Sequence, residues 1–170
     1  MTSKTKAAVT PRKGRRLLFD IETNGLLDTL DRIHCIWVQD LDTGDFFDFC
    51  DDKRAKAYAT VDDGVEILSH RDVELLAGHN ILHYDIPAVR KLYPDALADF
   101  TYYGGRRYFD TLIASRLIWP EILVSDFERF GVFEGTGKDR KLVATKGNFP
   151  RKHLGKHGLE AWGYRRRLLK

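Results

Sequence analysis

Cysteine is scarce: Cys35 and Cys50 are the only two in 170 residues. That excludes a disulfide framework as the source of stability and makes reduced thiols in a cytoplasmic protein the expectation. A chain of this length reads as one domain with room for one sizeable core. Long apolar runs are also missing. Charge breaks each of them well short of the ~20 residues a bilayer-spanning helix needs, so no membrane partner is expected. The basic N-terminus has no apolar stretch after its charges, so it does not read as a secretory signal. Acids are missing from both ends. Residues 1–16 hold six Lys/Arg and no Asp or Glu, and residues 138–170 hold eleven Lys/Arg against Asp139 and Glu160. Residues 17–137 hold 23 acids against 11 bases, a division hidden by a net charge of +3. An acidic middle between basic ends fits a cation-binding core that also meets a polyanion. Two solvated tails on an acidic domain would give the same distribution.

The local patterns predict an α/β protein. Residues 1–14, rich in Lys, Thr, Ala and Pro, read as a disordered basic leader, followed by one folded domain over 15–170. Short strands are expected at Arg16–Ile21, Arg32–Leu41 and Asp45–Cys50, the last two forming a hairpin about Asp42-Thr43-Gly44 that could make Cys35 and Cys50 neighbours. A helix over Val61–His70, capped by Asp62 or Asp63, precedes a fourth strand at Glu74–Gly78. Helices at Asp85–Leu92 and Thr111–Ile118 flank a strand at Tyr108–Phe109, and Pro120 ends the second helix. Residues 120–156 carry five glycines and few apolar side chains. They read as a long basic loop with a short helix near Ser125–Phe130. A last helix starts at Leu159 and Trp162 and runs into Arg165-Arg166-Arg167. The order implies a mixed sheet with helices packed on it.

The most informative stretch is LLFDIETNGL. On a strand, Asp20 and Glu22 share one face while Ile21 points to the other. Adjacent carboxylates repel and cost desolvation, which a fold tolerates when a cation sits between them. Oxygen ligands suit a hard metal such as Mg²⁺ or Mn²⁺. A strand entering a solvated acidic turn is the plainer alternative. Asp85, in His79-Asn80-Ile81-Leu82-His83-Tyr84-Asp85, reads either as a helix N-cap with Pro87 in the first turn or as a third acid of the site. Asp110 has the same two readings. His79 and His83 have no cysteine or third histidine beside them to complete a zinc site.

Four ordered blocks, FDIETNGLL, AGHNILHYDIPAV, FDTLIASRLIW and HGLEAWGYR, resemble the 3′→5′ proofreading exonuclease domain of podophage-type family A DNA polymerases, within the DnaQ-like (DEDD) group. The resemblance spans about Arg16 to Arg165 and implies a ribonuclease H-like fold. It also implies that Asp20, Glu22 and Asp85 are the catalytic, metal-holding acids of a two-metal phosphodiesterase using Mg²⁺ or Mn²⁺. Thr23, Asn24, Asn80 and Tyr84 would then contact the 3′ end of single-stranded DNA, although each suits a turn or packing role as well.

The family's third motif, Tyr-x3-Asp or His-x4-Asp, is not found. Tyr164 is followed four residues on by Leu168. His153 and His157 are followed five residues on by Gly158 and Trp162. Tyr58 and Asp62 match the spacing but precede the second block. The expectation is therefore an incomplete C-terminal helix, truncated before that motif, and a two-metal site with three of its four acids. The isolated chain would be a weak or inactive nuclease. The fourth acid would come from a polymerase domain or second chain of a split phage polymerase, working in the host-cell cytoplasm. The alternative function is a nucleic-acid-binding or polymerase-docking module that has lost catalysis.

Overall fold

The structure, a computed structural model, describes residues 14–100 and 105–169. The expected leader lies outside these residues except for Gly14. The chain divides into two compact units, Met1–Thr111 and Leu112–Lys170.

The first unit is built on five strands: β1 (Arg15–Thr23), β2 (Ile33–Asp40), β3 (Phe46–Cys50), β4 (Val73–Gly78) and β5 (Arg107–Asp110). Their order is β3-β2-β1-β4-β5. β1–β2 and β2–β3 are antiparallel, whereas β1–β4 and β4–β5 are parallel. The sheet changes from hairpin to crossover connections at β1, which is therefore central and paired on both edges. Side chains along β1 alternate as the period of two requires. Leu17, Phe19 and Ile21 are buried, and Arg16, Asp20 and Glu22 face outward. Cys35 stands opposite Cys50 across the β2–β3 ladder, both as free thiols.

Two helices complete the packing of this unit. Helix α1 (Val61–Ser69) lies against β2, β3 and β4 through Val61, Val65 and Leu68. Its N-cap is Thr60 rather than Asp62 or Asp63. The Thr60 hydroxyl accepts the Asp63 N–H, and the Asp63 carboxylate accepts the Thr60 N–H, closing a capping box. Helix α2 (Asp85–Leu92) buries Ile86, Ala88 and Val89 in the same core.

The second unit departs most from the sequence reading. The stretch 120–156 is not one long loop, although the short helix expected near Ser125–Phe130 is present. It forms helix α4 (Ile122–Phe130), strands β6 (Gly131–Glu134) and β7 (Lys141–Thr145) paired as an antiparallel hairpin, and short 3₁₀ turns. Helix α3 (Thr111–Ile118) enters this unit and α5 (Leu159–Arg165) closes it. Aromatic contacts link the elements of a unit that a low aliphatic content concealed, and of these rings Phe149 alone is buried. Phe130 stacks on Phe149 at 4.3 Å, Phe127 meets Phe133 edge-on, and Trp119 lies 4.9 Å from Trp162. Arg165 is not part of a solvated basic run. It is 5% exposed and chelates the buried Asp126, with 2.8 Å from Nε and 2.6 Å from Nη2 to the two carboxylate oxygens. No helix among the described residues is long and apolar enough to cross a membrane.

Candidate active site

The parallel arrangement of β1 and β4 brings the C-terminal ends of both strands to one edge of the sheet, where ligand sites of α/β sheets gather. Asp20 and Glu22 project from the exposed face of β1 near that end. β4 ends at Gly78, where a Cβ would come within 2.7 Å of the Phe19 carbonyl and 2.3 Å of Ile81 Cγ2. A side chain there would push the strand from β1, so glycine permits the close approach. The chain then turns through Asn80, whose φ of 66° is left-handed, and enters α2 at Asp85.

Asp85 is where the turn rejoins the sheet. It is 4% exposed, and its Oδ1 accepts the backbone N–H of Ile21 at 3.1 Å, between Asp20 and Glu22 in sequence. The expected alternative of a helix N-cap does not hold. Tyr84 occupies that position without a side-chain cap bond, and Asp85 is the first helical residue. Burial raises the Asp85 carboxyl from 3.8 to about 6, and repulsion from Asp20 and Asp110 adds to it. The Ile21 N–H acts in the opposite direction. Asp20 is raised too, first by burial and then by Glu22, with nearby His79 opposing. Proton affinity of this kind is what a group of carboxylates develops when the fold supplies negative charge without enough positive charge to balance it.

The donor set is all oxygen, which suits Mg²⁺ or Mn²⁺. Among the described residues, no group of three or more His, Cys, Asp or Glu stands in a metal-holding arrangement. Magnesium sites commonly use one or two carboxylates with water and substrate phosphate completing the shell, so the donors fit such an ion without a closed protein cage.

The four residues expected at the substrate all make local hydrogen bonds at the ends of β1 and β4 and in the turns that follow. The hydroxyls of Thr23 and Tyr84 lie 2.9 and 2.5 Å from the Gly25 carbonyl and hydrogen-bond each other, so the three oxygens share two protons. Asn24 folds the following loop. Its Nδ2 donates to Asp31 at 2.6 Å, and its Oδ1 accepts the N–H groups of Asp31 and Arg32 at 3.2 and 3.1 Å. The carbonyl of Asn80 accepts the N–H groups of His83 and Tyr84, both at 3.2 Å. Asp110 directly precedes α3 and acts electrostatically on Asp85, and it also makes a long-range contact that its local sequence does not announce. Its buried carboxylate accepts the backbone N–H groups of Asn80 and Leu82 at 3.0 and 3.1 Å. The local sequence carries no signal for that bond, because its partners lie 28 and 30 residues away.

The strand order, with β2 antiparallel to both of its neighbours, is that of a ribonuclease H-like fold. Solved structures agree: the ExoI/SSB-Ct complex aligns over 86% of this chain and 36% of its own, with a TM-score of 0.51 and 15% identity. The product-bound structure of exonuclease I aligns over 86% and 38%, with a TM-score of 0.50 and 14% identity. At such identities the likeness speaks for the fold alone. In sequence, the chain is homologous to the DNA-directed DNA polymerases of Escherichia phage T7 and Enterobacteria phage T3, at 30% identity over 149 residues in each case. Those matches cover 88% of this chain but 18% of either polymerase, so the chain spans less than a fifth of the length of these curated relatives. No family model matches the chain.

Proposed function

We propose that this chain is a 3′→5′ exonuclease module that hydrolyses the terminal phosphodiester of single-stranded DNA. The observation that carries the reading is the bond from the Ile21 N–H to Asp85, which ties the acid of a helix start to the strand bearing Asp20 and Glu22. Homology to phage DNA-directed DNA polymerases supports DNA as the substrate and a polymerase as the working context, in the cytoplasm of the host. Divalent cations, when bound, would supply an activated water and neutralise the oxygen that departs.

The chain's own groups divide the remaining work. Asp20 and Glu22, on the exposed face of β1, would hold the cation on the water side. Asp20 would share a second one with Asp85. The buried Ile21–Asp85 bond keeps the Asp85 carboxylate oriented before any ligand arrives. Thr23 and Tyr84, joined at Gly25, with Asn24 and Asn80 bracing the adjoining turns, would shape the rim against the last nucleotide. Homology to phage polymerases further supports a polymerase domain or partner chain as the setting in which this site works.

Asp20→Ala tests the proposal on a 5′-labelled single-stranded oligonucleotide over a Mn²⁺ titration. Exonucleolysis should fall at least about 100-fold, more than removal of a supporting group costs. DNA affinity should hold or rise as negative charge leaves the site. Unchanged turnover would defeat the exonuclease reading. Equal binding with no turnover in either protein would leave the binding-module alternative as the better account.

A further inference from the structure

We infer that Asp110 is a positioning residue, which holds the turn from Gly78 to Asp85 in the path that delivers the Asp85 carboxylate to β1. Its consequence for cation binding rests on the function proposed above, whereas the positioning itself rests on hydrogen bonds alone. The turn has only six residues, 79–84, in which to leave β4, reverse and reach α2. It does so through a left-handed Asn80, a conformation that costs backbone energy in a residue bearing a Cβ. Its own internal bonds, His83 and Tyr84 N–H to the Asn80 carbonyl at 3.2 Å, are local and would form in many turns.

The end of β5 supplies what the turn lacks. The two oxygens of Asp110 each take one N–H, from Asn80 and from Leu82, in a site where the side chain is 5% exposed. The next residue, Thr111, donates its hydroxyl to the Gly78 carbonyl at 3.1 Å, and the same oxygen lies 3.0 Å from His79 Nδ1. Two consecutive residues therefore clip the turn at Gly78, His79, Asn80 and Leu82, and Asp85 follows three residues later. An ionised carboxylate is the side chain of this size that accepts two N–H groups at once with charge assistance. Asparagine would accept one and turn its own NH₂ toward the other. The fold accepts the added repulsion between Asp110 and Asp85 to keep this clasp.

The test compares the full chain with Asp110→Asn, Asp110→Glu and Asp85→Asn by amide hydrogen exchange and by Mn²⁺ binding, read from the free Mn²⁺ signal in electron paramagnetic resonance. In Asp110→Asn, exchange at Asn80 and Leu82 should accelerate at least about 10-fold relative to the β1–β2 ladder, because a charge-assisted bond is lost locally. Mn²⁺ affinity should fall about 10–100-fold, the usual effect of removing a group that orients a ligand. Raising Mn²⁺ should restore binding in Asp110→Asn but not in Asp85→Asn, which loses the ligand itself while leaving the two amides protected. Uniform acceleration at every amide, or unchanged protection at Asn80 and Leu82, would overturn the inference. Should Asp110→Asn fail to fold, Asp110→Glu keeps the charge but displaces it by one methylene. It should speed exchange at the same two amides, and full protection there would overturn the inference equally. A wild-type chain that binds no Mn²⁺ would count against the nuclease reading, while exchange still decides the positioning role.

Discussion

Asp85 in the first unit and Asp126 in the second are equally hidden, 4% and 2% exposed, yet their surroundings are opposites. Asp126 meets the guanidinium of Arg165 through both oxygens and accepts the Gly155 N–H at 2.9 Å as well. Arg165 also donates to the Lys156 carbonyl at 2.7 Å, so both members of the pair are fully engaged. Asp85 is met by the backbone N–H groups of Ile21 and of its own residue, and has Asp20 and Asp110 as its charged neighbours. Asp126 is neutralised by the chain itself, whereas Asp85, left among other acids, would under the proposed function keep its charge for a cation from outside.

Breaking the structural pair should have the largest effect on stability. Arg165→Met leaves Asp126 buried without its counter-charge, and such a removal typically costs about 3–5 kcal/mol. Urea denaturation followed by near-ultraviolet signal from Trp119 and Trp162 would report it in the second unit, where both tryptophans lie. A cost under about 1 kcal/mol would mean that the pair is replaceable and the comparison false.

The chemical acid should behave in the opposite sense. In the folded chain Asp85 holds its proton up to about 6, against an ordinary 3.8. Between roughly pH 4 and 6 the folded state therefore binds the extra proton, and stability falls as pH rises through that window. Above it, the metal-free protein carries the whole penalty, on the order of 1–3 kcal/mol. Asp85→Asn should thus stabilise the protein in EDTA at pH 8 and flatten its stability between pH 5 and 8, while abolishing exonucleolysis. Added Mn²⁺ should stabilise the wild type at pH 8 and leave the variant unmoved. A wild type that gains stability from pH 5 to 8 in EDTA would contradict the assignment of Asp85 as an unneutralised acid.

The smallest effect belongs to the exposed pair of Arg107 and Glu74, at 3.0 Å. Arg107→Ala should change stability by less than about 1 kcal/mol, because solvent screens such pairs. A larger loss would show that charge pairing matters here irrespective of burial.

What could be read from the residues followed from short-range regularities. The period-two pattern of β1 placed Asp20 and Glu22 on one face, and the two hydrophobic strands after it implied the β2–β3 hairpin and the meeting of Cys35 with Cys50. The bounds of α2 and α3 are those expected from Asp85, Pro87 and Pro120. The second unit was illegible for a physical reason. Its elements are linked through Phe127, Phe130, Phe133, Phe149 and Trp162, aromatics spaced too irregularly to display a helix or strand period. Arg165 looked like one of three solvated arginines because nothing near it in sequence names Asp126, 39 residues earlier, as its partner.

From sequence alone came the acids, the alternation that aligns two of them, and the ordered blocks that relate the chain to phage polymerases. Those depend on residue identity and on backbone periods of a few residues, which any chain carries locally. Tertiary structure decided which acids are neutralised. Asp85 reaches Ile21 across 64 residues, Asp110 reaches the turn before α2 across about half that span, and Asp126 is taken out of play by Arg165. Electrostatic roles are set by distances through space, and only the folded path of the chain creates those distances.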